Sequence, residues 1–512
     1  MSDLSVKEWT DQVIKQEEID KYLIDGKDFI DRANINQDLE QQQDPDKQYI
    51  RDIMQKSLDI ERLSPEETAA LINVDDPNLW EEMYATANKV KEKVYDNRIV
   101  FFAPLYLSNL CVNNCAYCGF KKDNTEEKRK ILTKEEMQEE TRVMVREGHK
   151  RMIAVWGEHP KSDIDYMVDC MKNIYDVEED APYGPGTGSI RRININAAPM
   201  SSEDLRRLWE VGVGTYQVFQ ETYHKPTYTK MHPPGTIKGN YRWRLYALHR
   251  AMEAGIDDVA TGALFGLYDW KYEVMGLLYH AIDLERQFGI GPHTISFPRL
   301  MHAAGSKVAE ESPYLVSDEE LKKIITILRL AVPYTGLILT AREDADLRDE
   351  LIDVGVTQTD ASTRIGIGGY SDVKEQWDRL SNDESQQKED EQQFILGDTR
   401  RLDKMIGDLA KEDIITSFCT AGYRCGRTGE KIMGLLCNGT EGKFCKLNAI
   451  LTYKEYLEDY ASEETHKEGE KVLQKELDQL EEMEFFQDKP EMMEEFYNYY
   501  NRIEDGERDL FI

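Results

Sequence analysis

Three cysteines in one short segment are the residues best suited to do chemistry. Cys111, Cys115 and Cys118 supply three thiols within eight residues, in the sequence CVNNCAYC. A [4Fe–4S] cluster normally takes four thiolate ligands, so three thiolates leave one iron with an open coordination position. A zinc site is the alternative, although zinc loops usually combine CxxC pairs to reach four ligands. The spacing therefore predicts a cluster whose open iron binds a small chelating molecule.

The elements that must position these cysteines alternate between strand-like and helix-like patterns. Eight β-rich runs are separated by amphipathic segments, at residues 99–105, 151–158, 190–199, 215–222, 257–267, 293–300, 336–343 and 355–363. Eight strands separated by helices predict an α/β fold, a (βα)8 barrel of the TIM type. Catalytic groups of such barrels sit where strands run out into the following loops, and Cys111 comes six residues after the first predicted strand.

Composition and local charge divide the rest of the chain. We predict an acidic helical N-terminal extension (1–80), the barrel (81–370), a charged linker (371–394), a small cysteine-containing domain (395–460) and an acidic helical tail (461–512).

The charge balance and the hydropathy pattern exclude several classes of function. The chain has 64 basic and 98 acidic residues, a formal net charge of −34, whereas binding to nucleic acid or to anionic membranes needs a basic face. No apolar run reaches the roughly 18 residues that span a bilayer, and the N-terminus lacks the pattern of a signal or transit peptide. Eight cysteines in 512 residues do not make a secreted disulfide framework. We therefore expect a cytoplasmic protein.

Polar residues at the ends of several predicted strands are candidate site residues. Because the carboxyl ends of all barrel strands open on the same face, these residues should converge near the cysteines. Glu221 is the candidate catalytic group among them. The candidates for cofactor binding are Tyr117, Gly157, Glu158, Asn194, Asn196 and Gln220.

The segments VFQETYH, YTKMHP, GALFGLYD, GLLYHA and PHTISFPRL resemble the tyrosine lyases of the radical S-adenosylmethionine (SAM) superfamily, over roughly residues 80–460. The closest group is HydG, the maturases of the [FeFe]-hydrogenase H-cluster, and the second is ThiH, the 2-iminoacetate synthases of thiamine biosynthesis. The resemblance implies that S-adenosyl-L-methionine binds the open iron and yields a 5′-deoxyadenosyl radical. Cleavage of the Cα–Cβ bond of L-tyrosine to p-cresol and dehydroglycine would follow. An electron donor such as ferredoxin or flavodoxin, and other hydrogenase maturases, are the implied partners.

The resemblance also implies roles for residues farther along the chain. Thr363 and Arg364 match a Ser/Thr–Arg pair near the tyrosine site, and a guanidinium suits a carboxylate. His280 matches a histidine that holds the extra iron of a second, auxiliary cluster. HydG ligates that cluster through a C-x2-C-x22-C pattern, to which Cys419 and Cys445 correspond.

The auxiliary pattern is broken in this chain, because Gly422 stands where its second cysteine belongs. Glycine offers no ligand, so Cys425 is the natural substitute and Cys437 a second candidate. With an intact auxiliary cluster the enzyme would convert dehydroglycine into CO and cyanide for H-cluster assembly. Without it the chain would be a ThiH-like synthase or a divergent paralogue that stops at dehydroglycine. A third alternative is a non-catalytic scaffold that carries clusters.

Overall fold

Eight parallel strands close into a barrel in the computed structural model, which describes residues 5–126, 128–303, 306–371, 396–418 and 443–512. The barrel closes because β10 pairs with β1, and the predicted (βα)8 fold is confirmed. Each of the eight predicted runs overlaps one barrel strand. The barrel consists of strands β1, β2 and β5–β10, whereas β3 and β4 form a separate hairpin. The strand bounds are β1 Arg98–Ser108, β2 Arg151–Trp156, β3 Glu178–Asp180, β4 Thr187–Ser189, β5 Arg192–Asn196, β6 Tyr216–Gln217, β7 Val259–Gly262, β8 Thr294–Ser296, β9 Gly336–Leu339, β10 Gln358–Asp360 and β11 Ile415–Ser417.

Helices cover the outside of the barrel and extend it at both ends of the chain. None of the described helices combines the length and the apolar composition that a membrane span requires. Their bounds are α1 Val6–Val13, α2 Glu17–Asp20, α3 Arg32–Gln41, α4 Lys47–Leu58, α5 Pro65–Ile72, α6 Pro77–Tyr95, α7 Lys134–Arg146, α8 Ile164–Tyr175, α9 Ser202–Val211, α10 Lys225–Met231, α11 Tyr241–Leu245, α12 Ala247–Glu253, α13 Trp270–Phe288, α14 Val308–Glu311, α15 Asp318–Ala331, α16 Ala345–Val354, α17 Leu402–Lys411, α18 Lys443–Asp459, α19 Glu463–Glu482, α20 Glu484–Gln487 and α21 Pro490–Glu504.

Local sequence signals explain where the first barrel helix begins after the cysteine segment. Thr133 caps α7, and Glu136 completes a capping box by accepting from the Thr133 backbone N–H at 2.9 Å. Both contacts satisfy N–H groups that a helix start leaves without partners. The buried face of α7, which includes Met137 and Met144, packs into the core of the barrel and anchors the segment that follows the cysteine loop.

The N-terminal helices pack along the outer helices of the barrel. The Ser57 hydroxyl donates to the carbonyl of Leu330 at 2.9 Å, and the Leu63 N–H donates to Ala331 at 3.0 Å. The buried ammonium of Lys91 donates to the carbonyl of Ile352 at 2.8 Å. These bonds satisfy carbonyls at the ends of α15 and α16, so the extension is built into the outer layer of the barrel.

The C-terminal part of the chain joins the amino-terminal end of the barrel. β11 pairs in parallel with the first three residues of β1, while β2 pairs with the rest of that long strand. Lys150, directly before β2, lies 3.7 Å from Glu455 on α18 and 3.2 Å from Asp509. Both contacts lie opposite the end where β1 runs into the cysteine loop. The predicted linker lies almost entirely outside the described residues.

A layer of buried polar residues crosses the barrel interior at this amino-terminal end. We call it the basal layer, and it comprises Arg151, Arg192, Asp258, His293 and Gln358. Arg192 and Asp258 form an ion pair, and His293 Nδ1 lies 3.0 Å from Asp258. Arg151 donates to Gln358 at 3.1 Å across the start of β1. Because buried charges are tolerated only when they are paired, this layer carries a structural role in closing the barrel floor.

Candidate functional site

The three cysteines line one cavity at the carboxyl-terminal end of the barrel, with a volume of about 180 Å³. Cys115 is buried, and Cys111 and Cys118 are partly exposed. Side chains from the loops after most barrel strands complete the wall. The polar members of the lining are Asn113, Tyr117, Glu158, Asn196, Glu221, Lys238, Arg244 and Arg342, and its apolar members include Phe120, Phe219, Leu264 and Leu300.

Backbone hydrogen bonds hold the cysteine loop against the end of β2. The N–H of Val112 donates to the carbonyl of Glu158 at 2.9 Å, and the N–H of Gly157 donates to Ser108 at 2.8 Å. A Cβ atom at Gly157 would lie 2.2 Å from the carbonyl oxygen of Leu110. Only glycine lets the two backbones approach this closely, so Gly157 fixes the loop that carries Cys111.

The surroundings of the three thiols disfavour their ionisation by raising the pKa of each. Burial raises the pKa of Cys118 to about 11 and that of Cys115 further, and each is raised again by its neighbouring thiols. Burial and the Glu158 carboxylate likewise raise the pKa of Cys111. Thiolates here therefore need a compensating cation, which iron would provide, because a coordinating thiol is deprotonated outright.

The number of thiols in the cavity matches a cluster with one open iron. In a [4Fe–4S] cluster each thiolate binds a different iron, so three thiolates leave the fourth iron able to bind a chelating molecule. Structural zinc sites usually take four protein ligands. The three thiols that line this cavity therefore fit the cluster.

An ion-pair group faces the cysteines across the cavity. Glu221 lies 2.8 Å from Lys238 and 3.2 Å from Arg244. Burial alone would raise the pKa of Glu221, but these two cations outweigh it and lower the pKa to about 2. Glu221 also adopts a left-handed backbone conformation, with φ of 68°, which is unusual for a residue other than glycine. Strain of this kind often accompanies a functional position.

Tyr117 connects the cysteine loop to this charged group. Its hydroxyl lies 2.8 Å from Nε2 of His232, and the Lys238 ammonium sits 5.6 Å from the centre of its ring. The ring therefore closes one side of the cavity and contributes a cation–π contact to Lys238.

The structure brings five of the seven residues predicted at the strand ends and in the cysteine loop to the cavity wall. Asn194 and Gln220 lie outside the lining. The side-chain oxygen of Asn194 accepts from Arg192 at 3.2 Å and from the backbone of Thr215 at 2.9 Å, deeper in the barrel. Gln220 is buried between two lining residues, Phe219 and Glu221, but does not itself line the cavity.

Thr363 and Arg364 also lie apart from the cavity lining. The Thr363 hydroxyl donates to Asp360 at 2.5 Å, and burial lowers the pKa of Arg364 beside Tyr370 and Glu147. The lining instead contains Arg342, at the end of β9. Sequence reasoning missed this residue and also missed Asn113, Lys238 and Arg244. Arg342 could have been recognised from its place in the motif LTARE, at the end of a predicted strand.

The second predicted metal site falls largely beyond the part of the chain that the structure describes. Cys419, Cys425, Cys437 and Gly422 lie outside the described residues, and Cys445 sits half-buried in the first turn of α18. His280 is buried between the barrel and the N-terminal helices. Its Nδ1 lies 2.8 Å from the Tyr223 hydroxyl, and its ring stacks against His249. Its role as an iron ligand stays a prediction.

Comparison with known proteins decides the family. Residues 105–278 match the radical SAM superfamily, and residues 296–415 match the biotin and thiamin synthesis associated domain. A solved structure of HydG, described as a maturase of the [FeFe]-hydrogenase, is 44% identical with a TM-score of 0.85, covering 95% of this chain and 100% of that one. The chain belongs to the HydG family of radical SAM proteins. HydG from Carboxydothermus hydrogenoformans is 35% identical with a TM-score of 0.73, over 94% of this chain and 99% of that one.

A second group of relatives is more distant than the HydG structures. The 2-iminoacetate synthase of Salmonella typhimurium is 28% identical over 338 residues, which is 66% of this chain and 85% of that protein. The family assignment made from the sequence is thereby confirmed. The two HydG structures share a higher sequence identity with this chain than the 2-iminoacetate synthase does. The chain is a radical SAM enzyme of the HydG family with a TIM-type barrel.

Proposed function

We propose that this enzyme cleaves the Cα–Cβ bond of L-tyrosine to p-cresol and dehydroglycine. One observation carries the proposal: the cysteine triad shares its cavity with Arg342 and with the ion-pair group around Glu221. A cluster ligated by the triad would therefore stand in the same cavity as groups suited to bind an amino acid.

The residues at the cavity wall fit a [4Fe–4S] cluster with S-adenosyl-L-methionine. Cys111, Cys115 and Cys118 would hold the cluster, and it supplies the electron that generates the substrate-activating radical when both are bound. Asn113 and Glu158 hydrogen-bond to each other beside Cys111, and both line the cavity. Asn196 reaches the same wall from the end of β5.

Substrate binding is assigned to the charged residues of the wall. Arg342 would take the tyrosine carboxylate, because a guanidinium binds a carboxylate through two parallel hydrogen bonds. This assignment moves to Arg342 the role that the sequence suggested for Arg364. Glu221 is anionic at neutral pH, since its pKa is about 2, and can therefore hold the substrate ammonium. Phe219, Leu264 and Leu300 would exclude water around the side chain of the substrate.

The onward conversion of dehydroglycine to CO and cyanide is the second part of the proposal. This conversion needs an auxiliary cluster. Cys445, the candidate cysteine ligand that the structure describes, lies in α18 at the amino-terminal end of the barrel, where β11 also pairs with β1. The two ends are well separated. Val100, which pairs with Ser417, lies eight residues before Ser108, and an extended strand covers about 26 Å in that length. Gly422 in place of a cysteine favours a ThiH-like enzyme that stops at dehydroglycine as the second candidate.

The test is the fate of uniformly carbon-labelled tyrosine, incubated anaerobically with reconstituted protein, S-adenosyl-L-methionine and dithionite. Labelled p-cresol with labelled CO and cyanide is the expected result for the full proposal. Labelled p-cresol with glyoxylate, the hydrolysis product of dehydroglycine, would support the lyase step and overturn the second step. Intact tyrosine in a reaction that cleaves S-adenosyl-L-methionine would overturn the substrate assignment.

A further inference from the structure

The backbone of the cysteine loop is fixed directly before Tyr117 by two bonds to other parts of the chain. The N–H of Ala116 donates to the carbonyl of Met231 at 3.0 Å. The carbonyl of Ala116 accepts from the hydroxyl of Ser306 at 2.8 Å. The position of the Tyr117 backbone is therefore set, and the direction of its ring depends on the contacts of the side chain.

His232, which contacts that side chain, is held in place by the helix it follows. The residue before a proline is disfavoured in helical conformation, and His232, directly before Pro233, ends α10 with φ of −122° and ψ of 93°. It is only 2% exposed. Its Nδ1 lies 2.9 Å from the carbonyl oxygen of Tyr228, one turn earlier, and the two rings pack with centroids 4.1 Å apart. The imidazole is thus fixed from within its own helix.

The partners of His232 determine which of its nitrogens carries the proton. A carbonyl oxygen can only accept, so Nδ1 donates to Tyr228. Burial lowers the pKa of His232 to about 3, so the ring is neutral and its Nε2 remains an acceptor. The Tyr117 hydroxyl, 2.8 Å from Nε2, is therefore the donor. One neutral histidine connects the cysteine loop to α10 through two hydrogen bonds of defined direction.

Tyr117 lines the cavity, whereas His232 is buried outside the lining. We propose that His232 is a positioning residue, which holds the Tyr117 ring in the wall where S-adenosyl-L-methionine binds. The role rests on the proposed function, in which the cofactor binds a cluster held on either side of Tyr117 by Cys115 and Cys118. Fixing the ring before the cofactor arrives removes an entropic cost that ordering the side chain on binding would otherwise add.

A second contact restrains the face of the same ring. The Lys238 ammonium sits 5.6 Å from the centre of the Tyr117 ring, and the carbonyl of Lys238 accepts from the Tyr228 hydroxyl at 2.6 Å. Loss of the hydrogen bond to His232 leaves this cation–π contact in place. We therefore expect that loss to loosen the ring without releasing the cysteine loop.

Two substitutions at His232 separate its two hydrogen bonds. In His232→Gln, the side-chain amide oxygen can take the place of Nε2 and accept from Tyr117. In His232→Asn, the shorter amide can donate to Tyr228 in place of Nδ1 but does not reach Tyr117. Tyr117→Phe removes the hydroxyl and keeps the ring. The control is His224→Asn, the same substitution at the other end of α10 and outside the cavity lining.

Binding of S-adenosyl-L-methionine is measured by anaerobic equilibrium dialysis on the reconstituted proteins, with the cluster kept oxidised so that the cofactor is not cleaved. We expect the Kd to rise about fivefold in Tyr117→Phe and in His232→Asn, the effect of losing one neutral hydrogen bond. The double variant should bind no more weakly than either single variant, because both lose the same contact. His232→Gln and the control should stay within about twofold of the unmodified protein. Iron content should be equal in all variants.

A further fivefold loss when His232→Asn is added to Tyr117→Phe would overturn the positioning role, since His232 would then act without the Tyr117 hydroxyl. An unchanged Kd in His232→Asn would overturn it as well. So would a fall in iron content in any variant, because the pair would then support the cluster rather than the ring. Tyrosine is absent from these measurements, so intact tyrosine in the turnover assay would overturn the proposed function and leave this outcome unaffected.

Discussion

The two ends of the barrel use charged residues in opposite ways. At the amino-terminal end, the basal layer is almost wholly buried, and its ion pair between Arg192 and Asp258 is closed off from solvent. At the carboxyl-terminal end, Glu221, Lys238 and Arg244 also pair, but they line an open cavity together with three thiols. The same residue types thus seal one end and build a site at the other.

The difference follows from what each end must do. Buried ion pairs contribute little net stability, but breaking one leaves an uncompensated charge, so the basal layer tolerates little change. The cavity residues instead line a space that a substrate can enter. We therefore expect substitutions at the amino-terminal end to change stability and substitutions at the carboxyl-terminal end to change chemistry.

The largest effect is expected at the cysteine triad. Cys115→Ala removes one of three thiolates, and two thiolates hold a cluster poorly, so cleavage of S-adenosyl-L-methionine should be abolished. Iron analysis should show the loss of about four irons per chain, the content of one [4Fe–4S] cluster. Cys170→Ala is the control, because Cys170 is buried in α8 and lies outside the cavity. Equal iron content in the two variants would contradict the assignment of the triad.

The second prediction concerns the amino-terminal end of the barrel, where a substitution should lower stability and leave cluster binding unchanged. Asp258→Asn breaks the buried pair with Arg192, and we expect it to lower the free energy of unfolding by about 3–5 kcal/mol. Thermal denaturation measures this loss. The matched control is Asp165→Asn, whose exposed pair with Arg207 should be worth less than about 1 kcal/mol. Folded Asp258→Asn protein should still bind the cluster of the triad. Loss of that cluster with unchanged stability would reverse the comparison.

The barrel was predictable from the sequence because strand and helix periodicities repeat eight times and the triad follows the first strand. Single side chains were harder. Gln220 and Glu221 are neighbours, yet only Glu221 reaches the cavity, and it does so with a left-handed backbone that the sequence does not reveal. Lys238 and Arg244 lie on or beside short helices after β6, where no strand pattern marks them. Their contribution depends on how the loop folds back over the cavity, which sequence spacing does not reveal.

Two arginines allow a sharper test within the carboxyl-terminal end. Arg342→Lys should raise the KM for tyrosine about a hundredfold, since losing two charge-assisted hydrogen bonds costs about 3 kcal/mol. Reductive cleavage of S-adenosyl-L-methionine without tyrosine should persist. Arg364→Lys is the paired variant, and we expect it to change that KM less than about twofold, because Arg364 lies outside the cavity lining. The opposite ranking would restore Arg364 as the tyrosine-binding residue.

The smallest effect tests how finely the cysteine loop is positioned. In Gly157→Ala the new Cβ would meet the backbone oxygen of Leu110, so the loop must shift, at a cost of about 1–3 kcal/mol. Gly289→Ala is the control for a glycine whose Cβ would meet nothing within 4 Å, although its positive φ adds strain of about 1 kcal/mol. We expect similar thermal stability in both variants, but weaker binding of S-adenosyl-L-methionine only in Gly157→Ala. If both bind it equally, the contact between the two backbones sets the shape of the loop without setting the geometry of the site.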